Sequence, residues 1–378
     1  MSNDPYDKEW EEYRERGLAR AKELGSRGPA RYDENGLAPD IVEAFQEHGF
    51  YTFENMVSQT EVDELVQELD AILDNAPTRD GGATDEFGRP CQFPEYFKLA
   101  RPLNEAGARN GLLDQVDQNV EDQVVVLLSH PLMYMDSTVR LYGHPKLLRM
   151  VEGLNGPDFV PFNETIHLKV ARTGAATAWH QDGRTHWDDH GRALETTDLG
   201  SLSHGINASV CISAATPENC LWAVPGSHKS WYLHDGGEFP PIRERLADAV
   251  PMTLNPGDIG VVSRSSLHGS YPNRSPQQRT TILLGFHRRS SAIGTTTRNA
   301  HASINYSEAK VVTYDDVYVN RRSRIIPLAI NARQQRYPDE TPYEYRGITD
   351  GGSTEWNEQS AAEMRQEGDE YWRRNISL

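Results

Sequence analysis

Two short segments of this chain carry residues that could hold one metal ion. The first is Trp179-His180-Gln181-Asp182, and the second is Leu267-His268-Gly269-Ser270, which Arg279 follows eleven residues after the histidine. Two imidazoles and one carboxylate can occupy one face of an octahedral metal, an arrangement that suits Fe(II) when it must also bind a cosubstrate and O2. The guanidinium of Arg279 suits the far carboxylate of such a cosubstrate, because it can donate two parallel hydrogen bonds to it.

The His-x-Asp spacing alone is a weak signal. With 13 histidines and 56 acidic residues among 378, about two His-x-acid triplets arise by chance, and two occur, at His180 and His186. His180 ends an apolar run typical of a strand edge, whereas His186 lies in a polar stretch typical of a loop. A zinc-protease pattern at His186 and His190 fails, because Trp187 stands where the glutamate general base would be. The context therefore favours His180 and Asp182 as metal ligands.

Further polar residues accompany these segments. The hydroxyl of Ser270 could add a hydrogen bond to the carboxylate that Arg279 binds. His167 and Lys169 alternate with apolar residues and share one face of a strand. That face is either exposed to solvent or turned toward the cosubstrate inside a barrel, and the sequence leaves both readings open.

The segment from Gly183 to Gly205 begins one residue after a candidate ligand. It is longer than an ordinary connection, and such loops in compact domains are usually functional or disordered. We expect it to act as a lid over the site, with Arg184 and Trp187 contacting the substrate. The alternative is a solvated loop.

The composition limits the class of protein. The chain has 38 basic and 56 acidic residues and a net charge of −18, which disfavours nucleic acid and anionic membranes as partners. Three cysteines, an odd number, predict no disulfide framework and fit a reducing cytoplasm. The sequence shows neither a secretory signal nor a membrane-spanning run. We therefore expect a cytoplasmic protein with a small-molecule substrate.

The elements that must position these residues can be predicted from hydrophobic periodicity. Ser58-Gln59-Thr60-Glu61 is a capping box that should begin a helix, and a second helical pattern covers residues 139–153. From about residue 160 the period changes to two, with short strands separated by turn signals. This order predicts a mainly β protein with flanking helices, whose core is a double-stranded β-helix, or cupin-like jelly roll. The predicted divisions are a charged helical extension (1–36), the jelly-roll domain with its N-terminal helices (37–290) and a C-terminal extension (291–378).

Taken in order along the chain, these motifs resemble the phytanoyl-CoA dioxygenase-like family of Fe(II)- and 2-oxoglutarate-dependent oxygenases. The resemblance covers roughly residues 37–290. Its segments are Gly49-Phe50, the helix after Ser58, His180-Gln181-Asp182, Pro225-Gly226-Ser227-His228, Pro256-Gly257-Asp258, His268-Gly269-Ser270 and Arg279. The resemblance implies that His180, Asp182 and His268 bind Fe(II) and that Arg279 anchors 2-oxoglutarate.

The resemblance also implies the reaction. Such an enzyme converts 2-oxoglutarate and O2 to succinate and CO2 and oxidises an unactivated C–H bond, most often to an alcohol. Members that halogenate lack the acidic ligand, so Asp182 argues against halogenation. The substrate could be a natural-product intermediate or an amino-acid derivative. Desaturation, cyclisation and epoxidation stay open, as does a cupin-like metal-binding protein without oxygenase activity. The terminal extensions could carry a homodimer contact.

Overall fold

The computed structural model describes residues 5–34, 36–103, 122–182, 204–229, 239–242, 244–299 and 310–365. The helices in this part of the chain are α1 (Pro5–Leu24), α2 (Pro39–His48), α3 (Gln59–Leu73), α4 (Asp136–Tyr142), α5 (Pro145–Asn155), α6 (Arg289–Ala292), α7 (Asp316–Ser323), α8 (Ile325–Arg336) and α9 (Glu358–Arg365). The predicted capping box is present, because Ser58 accepts a hydrogen bond from the Glu61 backbone and the Glu61 side chain accepts one from the Ser58 backbone. The helical pattern over 139–153 forms α4 and α5 rather than one helix. Pro145 is the first residue of α5, a position where its missing N–H is no loss and from which it cannot continue α4.

The strands in the described residues are β1 (Arg27–Pro29), β2 (Tyr32–Asp33), β3 (Gly36–Leu37), β4 (Phe50–Glu54), β5 (Phe97–Ala100), β6 (Val124–Ser129), β7 (Phe159–Lys169), β8 (Thr177–His180), β9 (Gly205–Cys211), β10 (Leu221–Ala223), β11 (Val250–Met252), β12 (Ile259–Ser263), β13 (His268–Ser270), β14 (Arg279–Arg288), β15 (Thr296–Asn299) and β16 (Lys310–Thr313). They form a large sheet in the order β1-β4-β12-β9-β14-β7-β6-β5 and a small sheet in the order β11-β10-β13-β8. Two-stranded ribbons join β2 to β3 and β15 to β16. The large sheet is antiparallel apart from the β1–β4 pair. The predicted jelly roll with flanking helices is confirmed.

The large sheet has one apolar face and one polar face in its central strands. Ile166 on β7, Val210 on β9 and Ile282 on β14 belong to the main core, which also contains residues from α2, α3, α4, α5 and α8. Successive strand residues point to opposite faces, so their neighbours turn toward the small sheet. His167 and Lys169 lie on this interior face rather than on a solvent-exposed one, the two readings that the sequence left open, since Lys169 donates hydrogen bonds to the backbone carbonyls of Ser270 and Tyr271.

Both terminal extensions pack on the jelly roll. On α1, the ring of Tyr13 stacks on Trp222 of the small sheet at 4.7 Å between centroids. Gly17 lies so close to Trp222 that an added Cβ would stand 2.7 Å from its ring, so a larger residue would displace the helix. In the C-terminal extension, Arg322 on α7 pairs with Glu164 on β7 at 2.6 Å, and both side chains are buried. The divisions near residues 36 and 290 therefore separate sequence patterns rather than unpacked parts.

Candidate metal centre

The two candidate histidine ligands come from neighbouring strands of the small sheet. His180 is the last residue of β8 and His268 the first of β13, and the two are paired directly across the antiparallel ladder. Directly opposed residues place their side chains on one face, and the ring centroids lie 4.2 Å apart. Asp182 follows two residues after β8, with one carboxylate oxygen 3.9 Å from His180 Nε2. One ligand atom from each of the three residues lies within 4.8 Å of the others.

Backbone carbonyls orient both imidazoles. His180 Nδ1 lies 2.7 Å from the carbonyl oxygen of Ala178, and His268 Nδ1 lies 2.8 Å from that of Ser266. A carbonyl oxygen only accepts, so each Nδ1 carries the proton and each Nε2 presents a lone pair. A ligating histidine typically has this second hydrogen bond, which fixes its tautomer and ring orientation.

Asp182 is held at both its backbone and its side chain. Its N–H donates to the carbonyl oxygen of Arg264 at 2.7 Å, and its Oδ2 accepts from Asn207 Nδ2 at 2.9 Å. Burial alone would raise the pKa of Asp182, but His180, Arg264, His268 and the bond from Asn207 together lower it to about 2. The carboxylate is therefore ionised at neutral pH, as a metal ligand must be.

The loop before His268 is tied to the loop after His180. Gln181 Nε2 donates to the carbonyl oxygens of Ser265 at 2.6 Å and Ser227 at 3.1 Å. Ser266 Oγ donates to the carbonyl oxygen of Gly49 at 2.8 Å. Gly49 ends α2 with φ +80°, and an added Cβ would lie 2.5 Å from that same hydroxyl, so glycine is required there. These bonds connect the helix-strand entry to the loop that carries His268.

The three side chains fit an Fe(II) ion by their donor set and their protonation. Burial, followed by the charge of His180, lowers the pKa of His268 to about 4, so this imidazole is neutral at pH 7. Two imidazoles and one carboxylate on one side of a metal are the facial set of non-haem iron oxygenases, which leaves three positions for a cosubstrate and O2. Outside this group, the described residues hold no other cluster of three metal-ligating side chains.

Arg279 is a buried cation without a partner among the described residues. It begins β14, pairs across the ladder with Lys169 on β7, and is 7% exposed. Its Nε has no hydrogen-bond partner. An isolated buried charge is strongly unfavourable, so the guanidinium is suited to an anion that enters from outside the chain.

A cavity of about 100 Å³ is lined both by this guanidinium and by His180 of the triad. Its polar lining comes from His167, Lys169, Thr177, His180 and Arg279. A cavity of about 10–15 Å³ is enough to hold a single water molecule. This cavity is several times larger, so it can hold part of a small molecule. The position between His180 and Arg279 suits a ligand that binds the metal at one end and the arginine at the other.

His167 and Lys169 differ in what they can offer to that cavity. Lys169 Nζ is surrounded by the carbonyl oxygens of Tyr271 at 2.5 Å, Ala175 at 2.6 Å and Ser270 at 3.4 Å, so its three donors are engaged. His167 Nε2 lies 3.0 Å from the Thr165 hydroxyl. Burial and then the charge of Arg279 lower the pKa of His167 to about 3, so it is neutral. Contact of either residue with a cosubstrate stays a prediction, and Lys169 links β7 to β13 in any case.

The remaining predicted residues fall in different places. Ser270 is buried on β13, two residues past His268 and so on the same face. Arg184 and Trp187, with His186, His190 and most of the predicted lid, lie outside the described residues, so their substrate contacts stay predictions.

The sequence reasoning missed Asn207, Gln181 and the backbone of Arg264 as supports of the triad. The alternation on β9 could have shown the face of Asn207, but not the carboxylate that it contacts. His228 is a turn residue, as predicted, and its Nε2 donates to the carbonyl oxygen of Gln46 at 2.9 Å.

Comparison with known proteins identifies the family. The model of the phytanoyl-CoA dioxygenase (PhyH) family matches residues 45–281, more than half of the chain. The chain therefore belongs to the PhyH family. The predicted enzyme class, a dioxygenase, is confirmed at the level of this family, and the group of His180, Asp182 and His268 is compatible with bound iron. Within the described residues, no helix is long and apolar enough to cross a membrane.

Individual relatives are distant. The chain is 29% identical over 150 residues to the dioxygenase lolE1 of Epichloe uncinata, which covers 37% of this chain and 50% of the relative. It is 29% identical over 136 residues to the methylphosphonate hydroxylase of Gimesia maris, which covers 35% and 47%. The chain thus spans about half the length of these two relatives. The crystal structure of EctD from S. alaskensis with 2-oxoglutarate and 5-hydroxyectoine matches at a TM-score of 0.50 and 18% identity, covering 71% of this chain and 82% of EctD. That likeness shows the fold.

Proposed function

We propose that this protein hydroxylates an unactivated C–H bond of a small molecule, with 2-oxoglutarate and O2 as cosubstrates and succinate and CO2 as co-products. In this proposal His180, Asp182 and His268 hold the iron, and Arg279 holds the distal carboxylate of 2-oxoglutarate. One observation supports it above the others. His180, one of a close group of two imidazoles and a carboxylate, lines a cavity that is also lined by the buried guanidinium of Arg279, which has no partner among the described residues.

Iron bound there would supply the chemistry of O2 activation, with 2-oxoglutarate as the source of two electrons. The protein residues prepare that chemistry in specific ways. Asp182 stays ionised because positive neighbours and the Asn207 amide offset its burial. The two imidazoles offer Nε2 because carbonyls accept from Nδ1. Arg279 orients the cosubstrate, since a buried bidentate contact fixes both the position and the direction of a carboxylate.

Substrate identity is proposed only as a class. One relative is named a methylphosphonate hydroxylase, and the EctD structure contains 5-hydroxyectoine; both names refer to small polar molecules. They support a natural-product intermediate or an amino-acid derivative as the substrate here. Desaturation, cyclisation and epoxidation would use the same residues and differ only in the product.

The test is a screen of candidate small molecules with the Fe(II)-loaded protein, 2-oxoglutarate and O2. Succinate formation should rise with a substrate, and the product should gain the mass of one oxygen. A product that lacks two hydrogens would indicate desaturation instead. If the protein binds Co(II) at the triad but shows no affinity for 2-oxoglutarate, it is a metal-binding jelly roll without oxygenase activity.

A homodimer contact through the terminal extensions is part of the proposal. The described parts of both extensions pack on their own jelly roll, so a partner would contact their outer faces. Sedimentation equilibrium of the full chain would give a single 42.5 kDa species if the protein is a monomer.

A further inference from the structure

The interior face of the large sheet continues past the triad to a second polar end. Asn163 on β7 pairs with Gly285 on β14, which pairs with Asn207 on β9, which in turn pairs with Val262 on β12. This row crosses four strands. Since alternate residues share a face, the row lies on the same face as Arg279. The Asn207 amide reaches Asp182 from it, so the row borders the metal centre.

Arg264 lies at this second end, just after β12, and is 6% exposed. Its guanidinium lies 4.3 Å over the ring of Phe162, and Nη1 donates to His287 Nε2 at 2.7 Å. Its Nε has no hydrogen-bond partner. His287 is an acceptor without negative charge, because its Nδ1 lies 3.1 Å from the carbonyl oxygen of His204. The positive charge of Arg264 therefore has no counter-ion in hydrogen-bond contact among the described residues.

Other buried arginines show how this molecule neutralises a structural cation. Six arginines are buried in the described residues. Four form ion pairs with carboxylates: Arg289 with Asp158, Arg322 with Glu164, Arg324 with Asp350 and Glu363, and Arg333 with Glu61 and Glu340. The two that form no ion pair with any described residue are Arg264 and Arg279, and both border the candidate metal centre. A purely structural arginine would be expected to follow the first pattern, because an unpaired buried charge is strongly destabilising.

Two further orphan atoms lie in the same row. The side-chain oxygens of Asn163 and Asn207 are buried and lack a hydrogen-bond donor in the described structure. Buried polar atoms are nearly always hydrogen-bonded, so a group of exceptions calls for an explanation such as a ligand or water. The guanidinium of Arg264 is thus a cationic donor, and the side-chain oxygens of Asn163 and Asn207 are neutral acceptors that lack a donor in the described structure. All of them lie in the region of the ionised Asp182.

We propose that Arg264 binds an acidic group of the substrate, and that Asn163 and Asn207 accept hydrogen bonds from its hydroxyl or amine groups. This inference rests on the proposed function, because it treats the triad as the reacting centre. The substrate class is a small organic acid that also carries hydrogen-bond donors. The acidic group could be a carboxylate or a phosphonate, since both suit a guanidinium fork.

One cosubstrate molecule cannot account for both arginines. Arg279 begins β14, and His287, which contacts Arg264, is eight residues further along the same strand. Eight residues of strand span about 26 Å, and a cosubstrate held by Arg279 at one end and by the metal at the other would have no acidic group left for Arg264. The two guanidiniums therefore serve two different anions, one on each side of the metal.

The test uses acetate as the probe anion and the full-length protein loaded with Co(II) and saturating 2-oxoglutarate without O2. Saturation fills the Arg279 cavity, so acetate reports on the other end. Titration calorimetry, with chloride at equal ionic strength as the blank, should show acetate binding by the wild type. Arg264→Gln, whose amide can still donate to His287, should bind acetate at least tenfold more weakly. Arg264→Lys should fall between the two, because it keeps the charge and loses the fork.

Arg288→Gln is the matched control. Arg288 is the next residue on β14 after His287, and its Nε donates to the carbonyl oxygen of Asn155, on the helix side of the sheet. The Arg288→Gln variant loses the same charge as Arg264→Gln, and it should bind acetate with the affinity of the wild type. In the substrate screen, the wild type should prefer acids to the corresponding primary amides, and Arg264→Gln should lose that preference.

Two outcomes would overturn the inference. Equal acetate affinity in the wild type and Arg264→Gln would mean that acetate binds the metal or the surface. Loss of Co(II) or 2-oxoglutarate binding by Arg264→Gln would mean that Arg264 supports the metal centre rather than the substrate. Failure of the proposed function would look different, because then Arg279→Gln would leave 2-oxoglutarate binding unchanged while acetate still required Arg264.

Discussion

The candidate metal centre lies between two arginines that are alike in chemistry and different in surroundings. At the Arg279 end, residues of strands β6, β7, β8 and β14 line a cavity, and Lys169 donates to three backbone carbonyls beside it. At the Arg264 end, Phe162 packs with Tyr314 and Tyr318 of the C-terminal extension, and residues 183–203 connect Asp182 to His204. The Arg279 end thus consists of jelly-roll strands, whereas the Arg264 end also contains residues of the C-terminal extension.

This difference matches the two tasks that we propose. A cosubstrate common to a family can be held by the shared fold, so its pocket needs only core strands. A substrate particular to one protein needs residues that can vary without disturbing the sheets, and extensions and long connections provide them. Substitutions at the two ends should therefore have separable effects on cosubstrate and substrate binding.

Removal of a metal ligand should abolish turnover, because the reaction needs the metal that lies between the two ends. His268→Ala should lower Co(II) affinity and turnover on the order of a hundredfold or more, since even the loss of an outer-shell support costs 10–100-fold. Visible absorption of bound Co(II) and succinate formation are the two measurements. His48→Ala is a control, because His48 Nδ1 contacts the Ser26 hydroxyl at 2.6 Å and belongs to neither end. Full iron-dependent activity in purified His268→Ala would show that the ligand assignment is wrong.

Disrupting the ion pair of a buried arginine should destabilise the fold and leave ligand binding at both ends unchanged. Glu164→Gln removes the carboxylate that pairs with the buried Arg322, and loss of one partner from a buried pair typically lowers the free energy of unfolding by about 3–5 kcal/mol. Urea unfolding gives this value, and 2-oxoglutarate affinity of the remaining folded protein should be unchanged. Arg264→Gln should lower the free energy of unfolding much less, because no paired carboxylate is left behind. Similar losses in the two variants would remove the distinction between paired and unpaired arginines.

Loss of Arg279 should affect one end only. Arg279→Gln removes a buried, charge-assisted contact worth about 2–5 kcal/mol, so 2-oxoglutarate affinity should fall on the order of thirtyfold or more. Calorimetry with the Co(II)-loaded protein measures it, and Arg288→Gln again controls for the loss of charge. Unchanged affinity would contradict the cosubstrate role.

The Arg279 end could be predicted from the sequence, and the reason is local. His180 and Asp182 are two residues apart, and Ser270 and His268 are likewise on one face of one strand, so short motifs carry most of the triad. The period of two in β7 and β9 predicted the jelly roll and placed His167 and Lys169 on one face, but it did not decide whether that face was interior. These features depend on neighbours in sequence, which pattern reasoning can follow.

The Arg264 end could not be predicted, because its contacts join distant parts of the chain. Asn207 meets Asp182, and Arg264 meets His287, only after strand register is set. The ion pair of Glu164 with Arg322 likewise links residues 158 positions apart, so the C-terminal extension looked separate in the sequence. Periodicity gives the face of a residue and says nothing about its partner across the sheet.

The smallest expected effect concerns one histidine at each end. Burial lowers the pKa of both His167 and His204 to about 3, with Arg279 contributing at the first and Arg264 at the second. In the unfolded chain a histidine binds a proton below about pH 6.5. Between pH 6.5 and about 3 the unfolded state therefore binds more protons, and stability falls as pH falls through this window. Each histidine contributes a slope of up to about 1.4 kcal/mol per pH unit.

Urea unfolding between pH 7 and 4.5 should therefore give a shallower acid slope for His204→Gln and for His167→Gln than for the wild type. Saturating 2-oxoglutarate should separate them. A carboxylate bound to Arg279 would offset the charge beside His167 and raise its pKa, so the His167→Gln effect should shrink when the cosubstrate is present. The His204→Gln effect should stay the same, because that histidine lies beside Arg264. If 2-oxoglutarate changed both slopes equally, the two ends would be electrostatically coupled, and the division of cosubstrate and substrate between the two arginines would not hold.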